Sequence, residues 1–140
     1  MIYVIVQFSC IIYLIFNAKF EFLDTTSIAL LSVAVVIGLL AVFNMKINNL
    51  NIVPSLKENH QLVVNGIYRY IRHPMYTSVI FLCLSLMLTN VHLYAQLATL
   101  VLFIDLILKS NVEEKLLTER FSNYVEYKNT TGRFLPFIKL

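Results

Sequence analysis

The 140-residue chain is 59% hydrophobic, with a mean hydropathy of +0.75 and only 14% charged residues. A soluble domain is about half apolar and about a quarter charged, so this composition excludes a water-faced globule and marks a membrane protein. The net charge of +3 and pI near 8.9 do not argue for nucleic acid, because the cations flank apolar segments and suit an anionic lipid surface.

Residues 1–18 are almost unbroken apolar sequence, interrupted by Gln7, Ser9 and Asn17, and about 20 such residues span a bilayer. No basic n-region or small-residue cleavage site accompanies them, so they are expected to stay as an anchor. A connection carrying Lys19, Glu21 and Asp24 leads to a second span at 26–45, where Gly38 permits close approach of another helix. Residues 1–45 thus read as a first hairpin with a supporting role. Cys10 and Cys83 both fall inside apolar segments and read as inert buried thiols rather than a disulfide.

Residues 46–74 change character. Asn48, Asn49, Asn51, Pro54, Lys57, Glu58, Asn59 and His60 make a polar loop, with room for a short interfacial helix. An apolar triplet, Leu62 to Val64, precedes the turn signal Asn65-Gly66, where Gly66 is free to take positive φ. Pro74 suits the first position of a helix and biases His73 toward extended backbone. The third span follows at 75–89, a tight turn at 90–92, and a fourth span at 93–108. Both are short for a hydrocarbon layer of about 30 Å.

Residues 109–140 form a tail in which Val112, Leu116, Leu117 and Phe121 repeat at helical spacing, ended by Gly132 and Pro136. Its six cations outnumber its four acids, and the middle loop has Lys46, Lys57, Arg69 and Arg72 against Glu58 alone. The positive-inside rule then puts loop, tail and both termini in the cytoplasm. The expected architecture is an all-α, multi-pass integral membrane protein forming one domain. It has four transmembrane helices in two hairpins, a cytoplasmic interfacial loop and a C-terminal helix.

With glycine only at 38, 66 and 132, no dinucleotide fingerprint or P-loop is possible. No Cys/His spacing suggests a metal, and no Ser/His/Asp set suggests a hydrolase. What remains is the step His73-Pro74-Met75-Tyr76, where an extended segment becomes a helix. The first amides of a helix lack intrahelical partners and favour a carboxylate or phosphate. From spacing alone two readings stand: a cofactor site, or Arg72 gripping lipid headgroups while His73 caps the helix.

The run NGIYRYIRHPMY from Asn65 to Tyr76 resembles the signature of the isoprenylcysteine carboxyl methyltransferase family, part of a wider group with phospholipid N-methyltransferases and some sterol reductases. HQLV at 60–63, Glu113-Glu114, YVEYK at 124–128 and LPFIK at 135–139 match in order, so the resemblance covers His60 onward. It implies S-adenosylmethionine as cofactor, bound at the cytoplasmic membrane face. His60, Gln61, Leu62, Val63, Tyr68, His73, Pro74, Met75 and Tyr76 would line its pocket, with Glu114 reaching in from the tail. Without the resemblance, Glu113 and Glu114 read as the solvated first turn of a tail helix, and one of them is expected to be that.

Lys109 lies where the family has an arginine associated with the acceptor's carboxylate; lysine keeps the charge but loses the planar fork. Asp105, four residues earlier, is an intramembrane acid and so a functional suspect, but a self-neutralising Asp105–Lys109 pair is the simpler expectation. Arg72 and Arg133 are candidates for orienting substrate or for holding headgroups. Tyr70, Tyr124 and Tyr127 read as interfacial belt residues, and His92 as a turn residue.

The resemblance implies methyl transfer to a lipophilic or prenylated acceptor, first of all carboxyl O-methylation of an isoprenylcysteine-like substrate. Phospholipid or amine N-methylation and a non-enzymatic, headgroup-binding subunit are the alternatives; a nicotinamide-dependent reductase relative would need further spans.

Overall fold

The protein, here as a computed structural model that describes residues 1–45 and 61–139, is all-helical. Its helices are α1 (Ile2–Asn17), α2 (Thr25–Met45), α3 (Pro74–Thr89), α4 (Leu93–Arg120) and α5 (Tyr124–Thr130), with short 3-10 turns at Phe20–Phe22 and Gly66–Arg69. The expectations resting on 46–60, including the cations Lys46 and Lys57 and the site candidate His60, lie outside the described residues.

Two helices, α2 and α4, are long and apolar enough to cross a membrane, and α1 and α3 are shorter apolar helices. They are not the core helices of a water-soluble bundle. Only 17% of the apolar window of α2 and 33% of that of α4 is buried, while Phe8, Ile12, Phe16, Val36, Leu39 and Phe43 point outward. An outward face of that kind is stable against lipid and a liability in water.

The helices do not pack as two closed hairpins. α2 lies chiefly against α3, and α1 chiefly against α4 and less on α3, so the first hairpin is splayed around the second pair. Side-chain size explains the α2–α3 seam. The buried residues of α2 are Ser27, Ala34 and Ala41, one every seven positions, and small residues on one stripe let two backbones approach. Ser78 Oγ and Ser85 Oγ of α3 then reach across to the carbonyl oxygens of Ala34 and Ser27, each at 2.7 Å. Gly38 is part of the same fit: a Cβ there would stand 2.7 Å from Ser78 Oγ. The core of the bundle joins Leu14 of α1 to Cys83 and Leu86 of α3 and to Ala95, Leu102 and Leu106 of α4.

The expected break after residue 108 is absent. α4 runs unbroken for 28 residues, about 42 Å at 1.5 Å per residue, roughly two turns longer than a hydrocarbon layer of about 30 Å is thick. The apolar repeat at 112, 116 and 117 belongs to this extension, and hydropathy falls there while helix-forming residues continue.

Pro74 occupies the first turn of α3 as expected, and His73 precedes it with φ −123°; the His73 side chain makes no capping bond. Gly66 has φ +58° and lies so close to Asn44 that a Cβ would collide with its amide. Asn44 Oδ1 accepts the Ile67 N–H at 2.9 Å, which fastens the turn to the end of α2. The tail then folds back under α3. Arg72 N–H donates to Gly132 O at 2.8 Å and His73 N–H to Arg133 O at 3.0 Å, forming an isolated parallel bridge between Ile71 and Gly132.

Candidate functional site

Three pieces of chain meet where α3 begins: the segment 71–76, the polar extension of α4 and the returning tail at 128–134. Glu114 is their junction. Its Oε1 accepts Arg72 Nε at 2.8 Å and contacts His73 Nε2 at 3.1 Å, while Oε2 pairs with Lys128 Nζ at 2.8 Å; Arg133 Nε stands 3.7 Å away. Burial alone would push the Glu114 carboxyl up, but the bonds from His73 and Lys128 and the charges of His73 and Arg72 hold it well below the usual carboxylate range.

Glu113, one residue earlier, is also engaged. Tyr76 Oη donates to its Oε1 at 2.5 Å, and His73 Nδ1 stands 3.6 Å from its Oε2. The expectation that one of the two glutamates is merely solvated therefore fails: side-chain exposure is 19% for Glu113 and 3% for Glu114. His73 lies between them, and its ring stacks on Tyr76, centroids 5.4 Å apart and planes within 2°. Burial on its own lowers the His73 pKa; the hydrogen bonds and charges of Glu113 and Glu114 outweigh this and raise it above the ordinary histidine value.

Arg72 does not face the membrane surface. Its Nη1 donates to the carbonyl oxygens of Thr131 and Lys128 while Nε holds Glu114, so its donors are directed into the tail. Arg133 donates to Asn111 Oδ1 and lies over the Phe134 ring. Tyr68 is buried at the edge of the cluster: its hydroxyl donates to Ala41 O at 3.4 Å, and its carbonyl accepts Tyr127 Oη at 2.5 Å. Tyr124 is 1% exposed and Tyr127 half-buried, so these two are packing residues and not belt residues. Tyr70, 55% exposed, keeps an outward position.

The Asp105–Lys109 pair does not form. Among the described ion pairs none involves Lys109; its Nζ donates to Gln7 Oε1 of α1 at 2.9 Å and sits 5.0 Å from the centroid of the Tyr76 ring. Asp105 Oδ2 is buried without a hydrogen-bond partner. One turn separates the two side chains along α4, but Lys109 is drawn toward α1 and α3 instead. His92 is more than a turn residue: it precedes α4 and joins Tyr13 Oη at 3.1 Å.

The structure thus brings together Arg72, His73, Pro74, Met75, Tyr76, Lys109, Glu114 and Arg133. Gln61, Leu62 and Val63 form an irregular segment leading to the Gly66 turn. Sequence reasoning assigned nothing to Gln7 or Lys128, whose partners are 102 positions away in one case and across a tail turn in the other. A polar residue interrupting an apolar span was the signal available for Gln7. Beside Glu114 and Lys128 opens a cleft of about 340 Å³, also lined by Asn111, Lys115, Thr118 and Glu119, at the lower end of the size range of small-molecule sites, about 300–1,000 Å³.

The arrangement offers donors and acceptors of the kinds a zwitterionic amino-acid cofactor needs. The Met75 amide at the start of α3 and the neighbouring cations suit a carboxylate, and two glutamates suit an ammonium or hydroxyl groups. Glu114 is fully engaged by protein groups, and of these only Lys128, with a side chain 47% exposed, is held from the surface.

The sequence model of the phospholipid methyltransferase family matches residues 23–124. A protein-S-isoprenylcysteine O-methyltransferase of Saccharomyces cerevisiae is 39% identical over 95 residues, covering 63% of this chain and 38% of the yeast protein. The matched part is thus well under half of that relative's length.

Proposed function

The chain belongs to the phospholipid methyltransferase family, and from that premise we propose that it transfers a methyl group from S-adenosylmethionine to a lipophilic acceptor at the cytoplasmic face of a membrane, with carboxyl O-methylation of an isoprenylcysteine-like compound as the reaction. The observation that carries this reading is the convergence of His73, Tyr76, Glu113 and Glu114 at one end of the α3–α4 pair, together with the likeness to the yeast O-methyltransferase. In this reading all four apolar helices cross the bilayer, and both termini and the 61–73 segment lie on the cytoplasmic side.

The cofactor, when bound, supplies a methyl group on a positively charged sulfur. The remaining work falls to the chain. Pro74 has no N–H and the Tyr76 and Thr77 amides donate to His73 O, so the Met75 N–H would meet the cofactor's carboxylate, with the His73 imidazole beside it, and Glu114, on exchanging Lys128, would take its ammonium. The aromatic face of Tyr76 and the apolar flank of Phe134 keep water from the reacting groups. Transfer to a carboxylate cancels opposite charges, so a dry enclosure that aligns the pair favours it and no general base is required. Lys109 orients an anionic acceptor that arrives sideways from the lipid.

A second reading, N-methylation of an amine headgroup, is favoured by the position of Glu113. An amine must be neutral before attack, and a half-buried carboxylate hydrogen-bonded to Tyr76 is placed to take its proton. The decisive experiment incubates the purified protein in detergent with labelled S-adenosylmethionine, then with a prenylated cysteine or a phospholipid extract. Label in a base-labile ester supports the first reading and label in a stable amine the second. Failure to bind the cofactor overturns both.

A further inference from the structure

The first helix was expected only to support the bundle, yet it reaches the site. Gln7 is a polar residue 8% exposed within an otherwise apolar helix, and its Oε1 accepts Lys109 Nζ at 2.9 Å. Lys109 itself is 2% exposed. Its contacts are an amide oxygen and an aromatic face, both of which attract a cation without cancelling its charge. Asp105, one turn earlier, and Glu113, one turn later, act on it only through space, and Glu113 is already committed to Tyr76 and His73. An ammonium held by neutral partners keeps hydrogen-bond donors to offer a ligand. Charge retained in a site of low polarity is costly unless an anion completes it.

We infer that Gln7 is a positioning and specificity residue: it holds Lys109 beside Tyr76 without neutralising it, so that the site selects acceptors with an anionic head over neutral or amine ones. The inference deepens the O-methylation reading and rests on its placement of the acceptor. It also assigns α1 a part in choosing the substrate, although α1 lies outside the residues matched by the family.

The substitution that tests this is Gln7→Glu, which keeps the length and the bond to Lys109 but supplies an internal anion; Gln7→Leu removes the bond. Binding of a farnesylated cysteine carboxylate and of its carboxamide to the full chain in detergent is measured by thermophoresis, and cofactor binding separately with labelled S-adenosylmethionine. The wild type is expected to prefer the carboxylate by about tenfold or more, the value of one charge-assisted bond. Gln7→Glu abolishes that preference, and Gln7→Leu weakens it, with cofactor affinity unchanged in both. Loss of packing alone would weaken carboxylate and carboxamide equally and overturns the inference, as does a wild type that binds the two alike. Carboxylate preference without cofactor binding would support the anion site while removing the methyltransferase reading.

Discussion

Arg72 and Glu114 are 42 residues apart in the chain and 2.8 Å apart in space, and their side chains are 1% and 3% exposed. This pair closes the tail over the start of α3, because the same guanidinium also holds two tail carbonyls. Removing one partner of a buried pair leaves the other charged and unmatched, at a cost of about 3–5 kcal/mol. Arg72→Ala should therefore lower the unfolding midpoint in detergent sharply. Arg72→Lys should recover little, since one ammonium cannot serve a carboxylate and two carbonyls in a fixed plane.

Titration of the site should show two limbs of opposite sense. His73 has a folded pKa above its ordinary 6.5, set against burial by Glu113 and Glu114. Its contribution is fully present below pH 6.5 and is lost as pH rises through the folded value. Glu114 has a folded pKa below its ordinary 4.5 despite burial, through His73, Lys128 and Arg72. Its contribution is present above pH 4.5 and is lost as pH falls toward the folded value. Unfolding midpoints across pH should decline on both sides, and His73→Gln should remove the alkaline limb and shrink the acid one, because His73 is also among the groups that hold Glu114 down.

Glu113 separates the two chemistries. A carboxylate acceptor needs no base, so Glu113→Gln should reduce O-methylation only modestly, through the lost Tyr76 partner. An amine acceptor needs its proton removed, and loss of a general base costs about 10²–10⁴-fold in rate. Initial rates with the two acceptor types, in wild type and variant, read the difference directly.

Gly132 allows the tail to double back. A Cβ there would stand 2.0 Å from Leu135 O and 2.8 Å from Phe137 N, which backbone cannot yield cheaply. Gly132→Ala should cost about 1–3 kcal/mol, the range for forced overpacking. It should also detach the tail from the 71–73 segment, read as lost protection of the Arg72 and His73 amides against hydrogen exchange.

The first three apolar helices were legible within a residue or two, because apolar segments declare themselves by composition. Pro74 as a helix opener and Gly66 at positive φ followed from local sterics, and both stand. What stayed hidden was set by distance. The inward turn of Arg72 depends on Glu114, Lys128 and Thr131, the farthest of them 59 positions on, and nothing local separates it from a headgroup-binding arginine. Lys109 and Asp105 have the spacing of a helical pair, but spacing cannot reveal that Gln7 lies nearer. The length of α4 was missed because hydropathy ends at Lys109 whereas the helix does not.

The hydrogen bonds from Arg72 and His73 to Gly132 and Arg133 bear on how the protein is made. The segment that opens α3 is synthesised some sixty residues before the tail backbone that its amides pair with. Until the chain has been made through Arg133, Glu114 lacks two of its cationic partners, Lys128 and Arg133, so the cluster around it is completed last, by the 128–133 segment.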